Sequence, residues 1–173
     1  MKIIACKYND HSREILEILN ESILNSTALY DYQPRSTESM QEWFNSKETK
    51  NYPVVGAVDG SDTLMGFATF GAFRNWSAYK YTVEHSVYVH KNLHKKGVAS
   101  KLMEHLIKKA EILQYHAIIG GIDIENTASI KLHEKFGFKH VGTLEQVGFK
   151  FGRWLDLAFY QLILQTPTEP KEG

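Results

Sequence analysis

With 173 residues the chain has room for one domain around a single core, and 43% hydrophobic residues are enough to fill it. Twenty Lys+Arg balance twenty Asp+Glu, which removes the electrostatic basis for a dedicated nucleic-acid or anionic-membrane binder. The single Cys6 excludes an intrachain disulfide and a cysteine-built metal cluster. The opening MKIIACKYND lacks the apolar run of a signal peptide, so a cytoplasmic protein is expected.

Residues 2–7 read as a first strand. Ile15, Leu16, Ile18, Leu19 and Ile23 then recur at helical spacing. Residues 25–34 break that period and carry Tyr30 and Tyr32, so an ordered loop is expected before a short helix over 37–46 with Met40, Trp43 and Phe44 inward. Val54–Val58, the turn Asp59-Gly60-Ser61-Asp62 and residues 64–73 give a strand–turn–strand signal, and a further strand is predicted over 79–90. From Gly97 a long amphipathic helix places Val98, Leu102, Leu106, Ala110 and Leu113 on one face. Residues 117–124 read as a buried, apolar strand broken only by Gly120-Gly121. A helix over 128–135 ends at Gly137, two strands follow, and residues 166–173 are expected to form a flexible tail after a domain spanning 1–165.

Two segments carry chemistry. In the run from Val87 to Ser100 a strand feeds a loop with Lys95, Lys96 and Gly97, and a helix starts at once. The unpaired N–H groups and positive dipole end of that helix form an anion site, with Gly97 and Ala99 keeping bulk away from the backbone. The same pattern also suits a basic loop before an ordinary helix. It contains neither GxxxxGK[ST] nor GxGxxG. One strand later, Asn126 stands where it can cap a helix and bond a ligand amide, with His133 seven residues on, about two helical turns.

Alternation along the preceding strand puts Thr82, Glu84, Ser86 and Tyr88 on one face and Val83, His85, Val87 and Val89 on the other. A mid-strand carboxylate such as Glu84 is solvated, paired or employed as a proton acceptor. Arg74, with its planar guanidinium, suits recognition of a carboxylate or phosphinate. Cys6 reads as a buried inert thiol. His90 and His94 lack a third metal ligand, so no metal is expected.

Taken in this order, the two segments resemble the acetyl-CoA signature of the GNAT superfamily of N-acetyltransferases, whose loop reads [QR]-x-x-G-x-[GA]. With Thr27–Tyr30, Tyr81–Val89 and Val147–Asp156 the resemblance narrows to the phosphinothricin and methionine sulfoximine acetyltransferases, over almost the whole chain. His94 departs from the pattern, standing where Gln or Arg is usual.

The resemblance implies an α+β fold, a single domain whose mixed, twisted, mostly antiparallel sheet has splayed central strands flanked by helices. It implies acetyl-CoA as co-substrate, with contacts from Val87, Tyr88, Val89, Lys95, Lys96, Gly97, Val98, Ala99, Ser100, Asn126 and Ser129. The acceptor would meet Tyr30, Arg74, Tyr79, Thr82 and Glu84. Glu84 would act as base, and His133 as acid or as a contact to the CoA sulfur. Detoxification of small amino-acid analogues such as phosphinothricin, methionine sulfoximine or methionine sulfone is the implied role, by direct transfer to the α-amino group. The aromatic-rich segment 149–154 resembles the family's dimer and cleft-closing element, so a homodimer is expected. Another acceptor amine (a polyamine, an aminoglycoside, a protein N-terminus) and a non-catalytic acyl-CoA-binding module are the alternatives; the presence of Glu84 favours an enzyme.

Overall fold

A computed structural model describes residues 1–172; the last residue of the expected tail, Gly173, lies outside the described residues. Along the chain come β1 (Lys2–Ala5), α1 (Tyr8–Asn25), α2 (Thr37–Thr49), β2 (Val54–Val58), β3 (Leu64–Ala72), β4 (Thr82–Val89), α3 (Val98–Ile112), β5 (Ala117–Asp123), α4 (Thr127–Lys135), β6 (Lys139–Lys150) and β7 (Arg153–Ile163). The strands form one mixed, open sheet in the order β1-β2-β3-β4-β5-β7-β6, with four helices as expected from the α+β reading. β4 and β5 run parallel, in register Thr82↔Ala117, Val83↔Ile118 and Glu84↔Ile119, so their pairing covers the start of both strands and ends at the glutamate. The β1–β2, β2–β3, β5–β7 and β6–β7 pairs are antiparallel.

The chain divides into two compact units, one of residues 1–69 and 86–106, the other of 70–85 and 107 onward. In the first, the α1 stripe is buried as its spacing requires: Ile15, Ile18 and Leu19 meet Met40 and Phe44 of α2, Val54 and Val58 of β2, and Leu64 and Phe67 of β3. Ser36 caps α2 by accepting the Ser39 N–H. In the second unit, β5 lies between β4 and β7, and Ile118, Ile122, Phe138, Leu155 and Ala158 are buried. β6 and β7 join through a two-residue turn, Phe151-Gly152, both at positive φ (52° and 75°), the geometry that matches the twist of a hairpin.

Several expected boundaries shift by a few residues. β1 ends at Ala5 and α1 starts at Tyr8, so residues 6 and 7 are not strand. α2 continues past Ser46 to Thr49, because Lys47 and Glu48 are good helix formers and the Lys47 ammonium lies 5.5 Å from the Trp43 ring one turn back. β4 starts at Thr82, not at 79. Tyr79 N donates to Trp76 O (2.9 Å) and Lys80 N to Ser77 O (3.1 Å), a 3₁₀ turn that aromatic β-propensity conceals. β5 is not wholly apolar: Asp123 closes it, 4% exposed.

Two residues of the stretch expected to be a tail, Thr166 and Lys171, make hydrogen bonds. His116 Nδ1 lies 2.9 Å from Thr166 O, and the Lys171 N–H donates to the Tyr81 hydroxyl (3.0 Å), which in turn donates to Lys171 O (3.1 Å).

Candidate active site

In the first unit, β4 leaves its last residue through a short 3₁₀ turn (Lys91–Leu93) into the basic loop, and α3 begins at Val98. The first bond of α3 runs from Lys101 N to Gly97 O (3.1 Å), so the N–H groups of Val98, Ala99 and Ser100 precede the helical ladder. Lys95 (φ 63°) and Gly97 (φ 79°) both adopt left-handed backbone, and Lys95, Lys96 and Gly97 are exposed. A Cβ on Gly97 would meet nothing within 4 Å, so glycine answers to the backbone turn and leaves open space above it. Successive N–H groups turned by left-handed residues at a helix start form an anion-binding concavity.

His94, at the position where the pattern has Gln or Arg, sends Nε2 to within 3.1 Å of the Val89 carbonyl. It is a strand-end contact that sequence spacing does not show. Tyr88, expected at the cofactor, is half-buried and packs its ring on Phe67 (centroids 5.3 Å apart) at the side of the core. Tyr30 is half-buried in the loop after α1, with its hydroxyl out of solvent.

The second unit holds Glu84 and Arg74. Glu84 is half-buried on β4, opposite Ile119 of β5. Its Oε1 would lie 3.4 Å from a Cβ built on Gly121, as would Leu157 Cδ1; the bare backbone of Gly121 leaves the space beside the carboxylate clear. Burial pushes the Glu84 carboxyl above its usual value, and the Arg74 guanidinium pulls it partly back. Arg74 is exposed, stacks 4.5 Å over the Phe73 ring and donates from Nη1 to Phe73 O (3.1 Å). Phe73 makes edge contacts with Tyr79 (5.8 Å) and Phe159 (6.4 Å), so Arg74 and Tyr79 are gathered at one aromatic cluster. Thr82 heads β4 two residues before Glu84, on the same face.

Asn126 caps α4: its Oδ1 accepts the Ser129 N–H (3.1 Å), which leaves its amide NH₂ for another acceptor. His133, two turns on, is buried, 4% exposed. Its Nδ1 lies 2.7 Å from Ser129 O and its Nε2 lies 2.9 Å from Nε2 of His85. Burial lowers the pKa of both histidines; at His85 the charge of His133 adds to the effect.

Sequence reasoning missed His85 and Asp123. The first showed only as one of four residues on a strand face, and its partner stands 48 positions away. Asp123 was hidden in an apolar run. Its Oδ1 accepts the Glu125 N–H (3.0 Å), and its Oδ2 lies 3.5 Å from Nη2 of Arg153, which also contacts Glu125 Oε2 at 2.7 Å. Among the described residues no group of three His, Cys, Asp or Glu is placed to hold a metal ion.

An open mixed sheet is present, one unit carries a turned basic loop at a helix start, and the other carries a mid-strand carboxylate beside bare glycine backbone; each is a feature that acyl transfer can use. Residues 15–138 match the acetyltransferase (GNAT) family, and the chain belongs to it. Among its relatives, the L-methionine sulfoximine/L-methionine sulfone acetyltransferase of Pseudomonas aeruginosa is 39% identical over 150 residues, covering 87% of each chain. The solved structure of an Acinetobacter baylyi protein described as an acetyltransferase is 55% identical, with a TM-score of 0.98 over 99% of this chain and 96% of that one. A phosphinothricin acetyltransferase from Sinorhizobium meliloti, solved in complex with acetyl-CoA, is 35% identical, with a TM-score of 0.94 over 99% of this chain and 94% of that one.

Proposed function

We propose that this chain transfers the acetyl group of acetyl-CoA directly to the α-amino group of a small amino-acid analogue, with methionine sulfoximine, methionine sulfone and phosphinothricin as the substrate class. The observation that carries the chemistry is the half-buried Glu84 carboxylate, raised in basicity by its burial and set beside the side-chain-free backbone of Gly121. An ammonium must lose a proton before it attacks a thioester. A carboxylate of raised pKa accepts that proton near neutral pH better than an exposed one. The amine nitrogen then bonds to the acyl carbon and sheds a second proton to solvent, the C–S bond breaks, and CoA leaves as a thiolate. Direct transfer suits the thiol inventory: burial pushes Cys6, the single cysteine, up to about 12, which disqualifies it as an acyl carrier.

Acetyl-CoA supplies the activated acyl group. From the first unit, Lys95, Lys96 and the N–H groups of Gly97, Val98, Ala99 and Ser100 would hold its diphosphate, and the backbone of Val87, Tyr88 and Val89 its pantetheine. The second unit would add the Asn126 amide and Ser129. Arg74 would grip the acid group of the acceptor, with Tyr79 and Thr82 beside it and Tyr30 from the first unit. His133 is not assigned the acid role, because both of its ring nitrogens are engaged by the protein. A thiolate is a good enough leaving group to depart without a proton.

The same reading takes residues 1–165 as the catalytic domain and places the work in the cytoplasm, as detoxification. It also includes a homodimer through the β6–β7 hairpin, supported by exposed Val147, Phe149, Phe151 and Trp154. Neither nucleic acid nor membrane enters it: the formal charge is zero, and among the described residues no helix is long and apolar enough to cross a membrane.

An acetyl-CoA consumption screen over amino acids and their sulfoximine, sulfone and phosphinate analogues tests the substrate class; turnover of polyamines, aminoglycosides or peptide N-termini in its place would overturn it. Glu84→Gln tests the chemistry. It should lower kcat near pH 7 by about 10²–10⁴-fold, the usual worth of a positioned base, with partial recovery as pH rises and free amine becomes abundant. Wild-type kcat across the profile would remove Glu84 from the reaction.

A further inference from the structure

The contact between His85 and His133 joins two like nitrogens, and that alone dictates where the protons are. Ser129 O can only accept, so His133 Nδ1, at 2.7 Å, carries a hydrogen and donates. The opposite tautomer would set a lone pair against a carbonyl oxygen at that distance. In a neutral ring the Nε2 of His133 is then a lone pair. It faces His85 Nε2 at 2.9 Å, which must therefore carry the hydrogen. His85 Nδ1 is left as a lone pair, buried and without a hydrogen-bond partner among the described residues. The surroundings fit an uncharged pair: Phe138 lies 5.5 Å from the His85 ring and 5.0 Å from that of His133, and Tyr160 lies 6.2 Å from His133.

The chain also makes room for this bond. A Cβ on Gly120 would fall 2.8 Å from His133 Nε2 and 2.9 Å from His85 Nε2, at the point where the two nitrogens meet.

We propose that His85 is a positioning residue: by donating from Nε2 to His133 Nε2 it fixes His133 as the Nδ1–H tautomer and pins the first turn of α4, through Ser129, to β4. Two consequences follow. His133 Nε2 has no hydrogen to give a departing thiolate, and the Nδ1 hydrogen is held by Ser129 O. The helix end that carries Asn126 and Ser129 is tied to the residue that follows Glu84 in sequence, so cofactor contact and base are registered to each other. The second consequence rests on the reading that Asn126 and Ser129 meet acetyl-CoA; the first does not.

Long-range ¹H–¹⁵N spectra of the imidazoles in the full chain at pH 7.5 decide the tautomers, with His133→Gln and His85→Gln used for assignment. The expected result is His133 protonated at Nδ1 alone and His85 at Nε2 alone. A His133 protonated at Nε2 would overturn the proposal. Glutamine at position 85 places an N–H where the His85 Nε2–H stood, so His85→Gln should keep the His133 signature and a near wild-type KM for acetyl-CoA. His85→Phe should lose the signature and raise that KM about two- to tenfold, the scale of one buried neutral hydrogen bond, with KM for the acceptor unmoved. A folded His85→Phe protein with wild-type KM for acetyl-CoA, while Asn126→Ala raises it, would overturn the positioning role. If Asn126→Ala itself leaves that KM unchanged, the cofactor reading has failed, and the spectra still decide the tautomer.

Discussion

Adjacent glycines on β5 face opposite sides of the sheet and should respond to the same methyl group in opposite ways. At Gly120 the added Cβ meets His133 Nε2 at 2.8 Å, His85 Nε2 at 2.9 Å and His133 Cδ2 at 3.1 Å, closer than such contacts normally come. Neither ring is the free end of a flexible side chain; both are buried and bonded. Overpacking a core of this kind costs about 1–3 kcal/mol. Parting the two nitrogens strands a buried donor and acceptor, for about 1–3 kcal/mol more. The reduced entropy of the unfolded chain returns about 0.4–1 kcal/mol. Gly120→Ala should therefore lose about 1–5 kcal/mol, about 3 at mid-range, and at about 2–4 °C per kcal/mol for a chain of this size that mid-range value melts it about 6–12 °C lower. At Gly121 the nearest atoms, Glu84 Oε1 and Leu157 Cδ1, both stand at 3.4 Å, ordinary contact. Gly121→Ala should keep wild-type stability or gain slightly, and lose kcat because its methyl fills the space beside the base. Urea unfolding followed by circular dichroism, with m-values compared, measures both. Equal destabilisation of the two variants, or a wild-type midpoint for Gly120→Ala, would refute this account of the histidine pair.

Arg74→Ala should raise KM for the acceptor and leave that for acetyl-CoA near its starting value, a loss of about 2 kcal/mol or thirtyfold in kcat/KM; Arg74→Lys should recover part of it. Asp123→Ala frees the Glu125 N–H and removes one partner of Arg153, so a loss of about 1–2 kcal/mol is expected in thermal melts, with Asp123→Asn, which keeps the acceptor oxygen, nearer wild type. Because folding lowers the pKa of His85, its contribution to stability is complete above the unfolded value near 6.5 and falls away as pH drops below it, by about 1.4 kcal/mol per pH unit. The raised carboxyl of Glu84 acts with the opposite sign, so the quantity to measure is the difference in urea midpoint between wild type and His85→Gln at pH 7.5 and 5; a difference independent of pH would count against a buried neutral pair.

The elements were legible because their signals are local. The α1 stripe, the β4 alternation and the basic loop before α3 each lie within a window of a few residues, and all three occupy the places that their periods dictate. What the sequence concealed is non-local or backbone-encoded. His85 looked like one more inward residue, since nothing near it reveals a second imidazole across two strands' worth of chain. His133 read as a ligand candidate for the converse reason: its spacing from Asn126 is right, and its burial depends on Gly120, Phe138 and Tyr160. Tyr88 shares the Glu84 face by alternation, yet its ring turns to Phe67 beyond the point where β4 and β5 cease to pair. Asp123 disappeared into an apolar average. Its role lies in an Asx turn and a distant arginine.

The outermost strand, β6, has an interrupted ladder. Between Leu144↔Leu157 and Gly148↔Leu155 it spends three residues against one of β7, with Gln146 at φ 52° and its N–H donating to Asp156 Oδ1 (2.7 Å); a second irregularity lies between His140 and Gly142. A strand at the end of a sheet normally offers its unpaired donors and acceptors as a template for any extended chain that drifts by. Here that template is broken into short pieces, none of them long enough to seed a continuous ladder. The apolar side chains on the hairpin can thus face solvent or a partner surface while the backbone behind them refuses to polymerise.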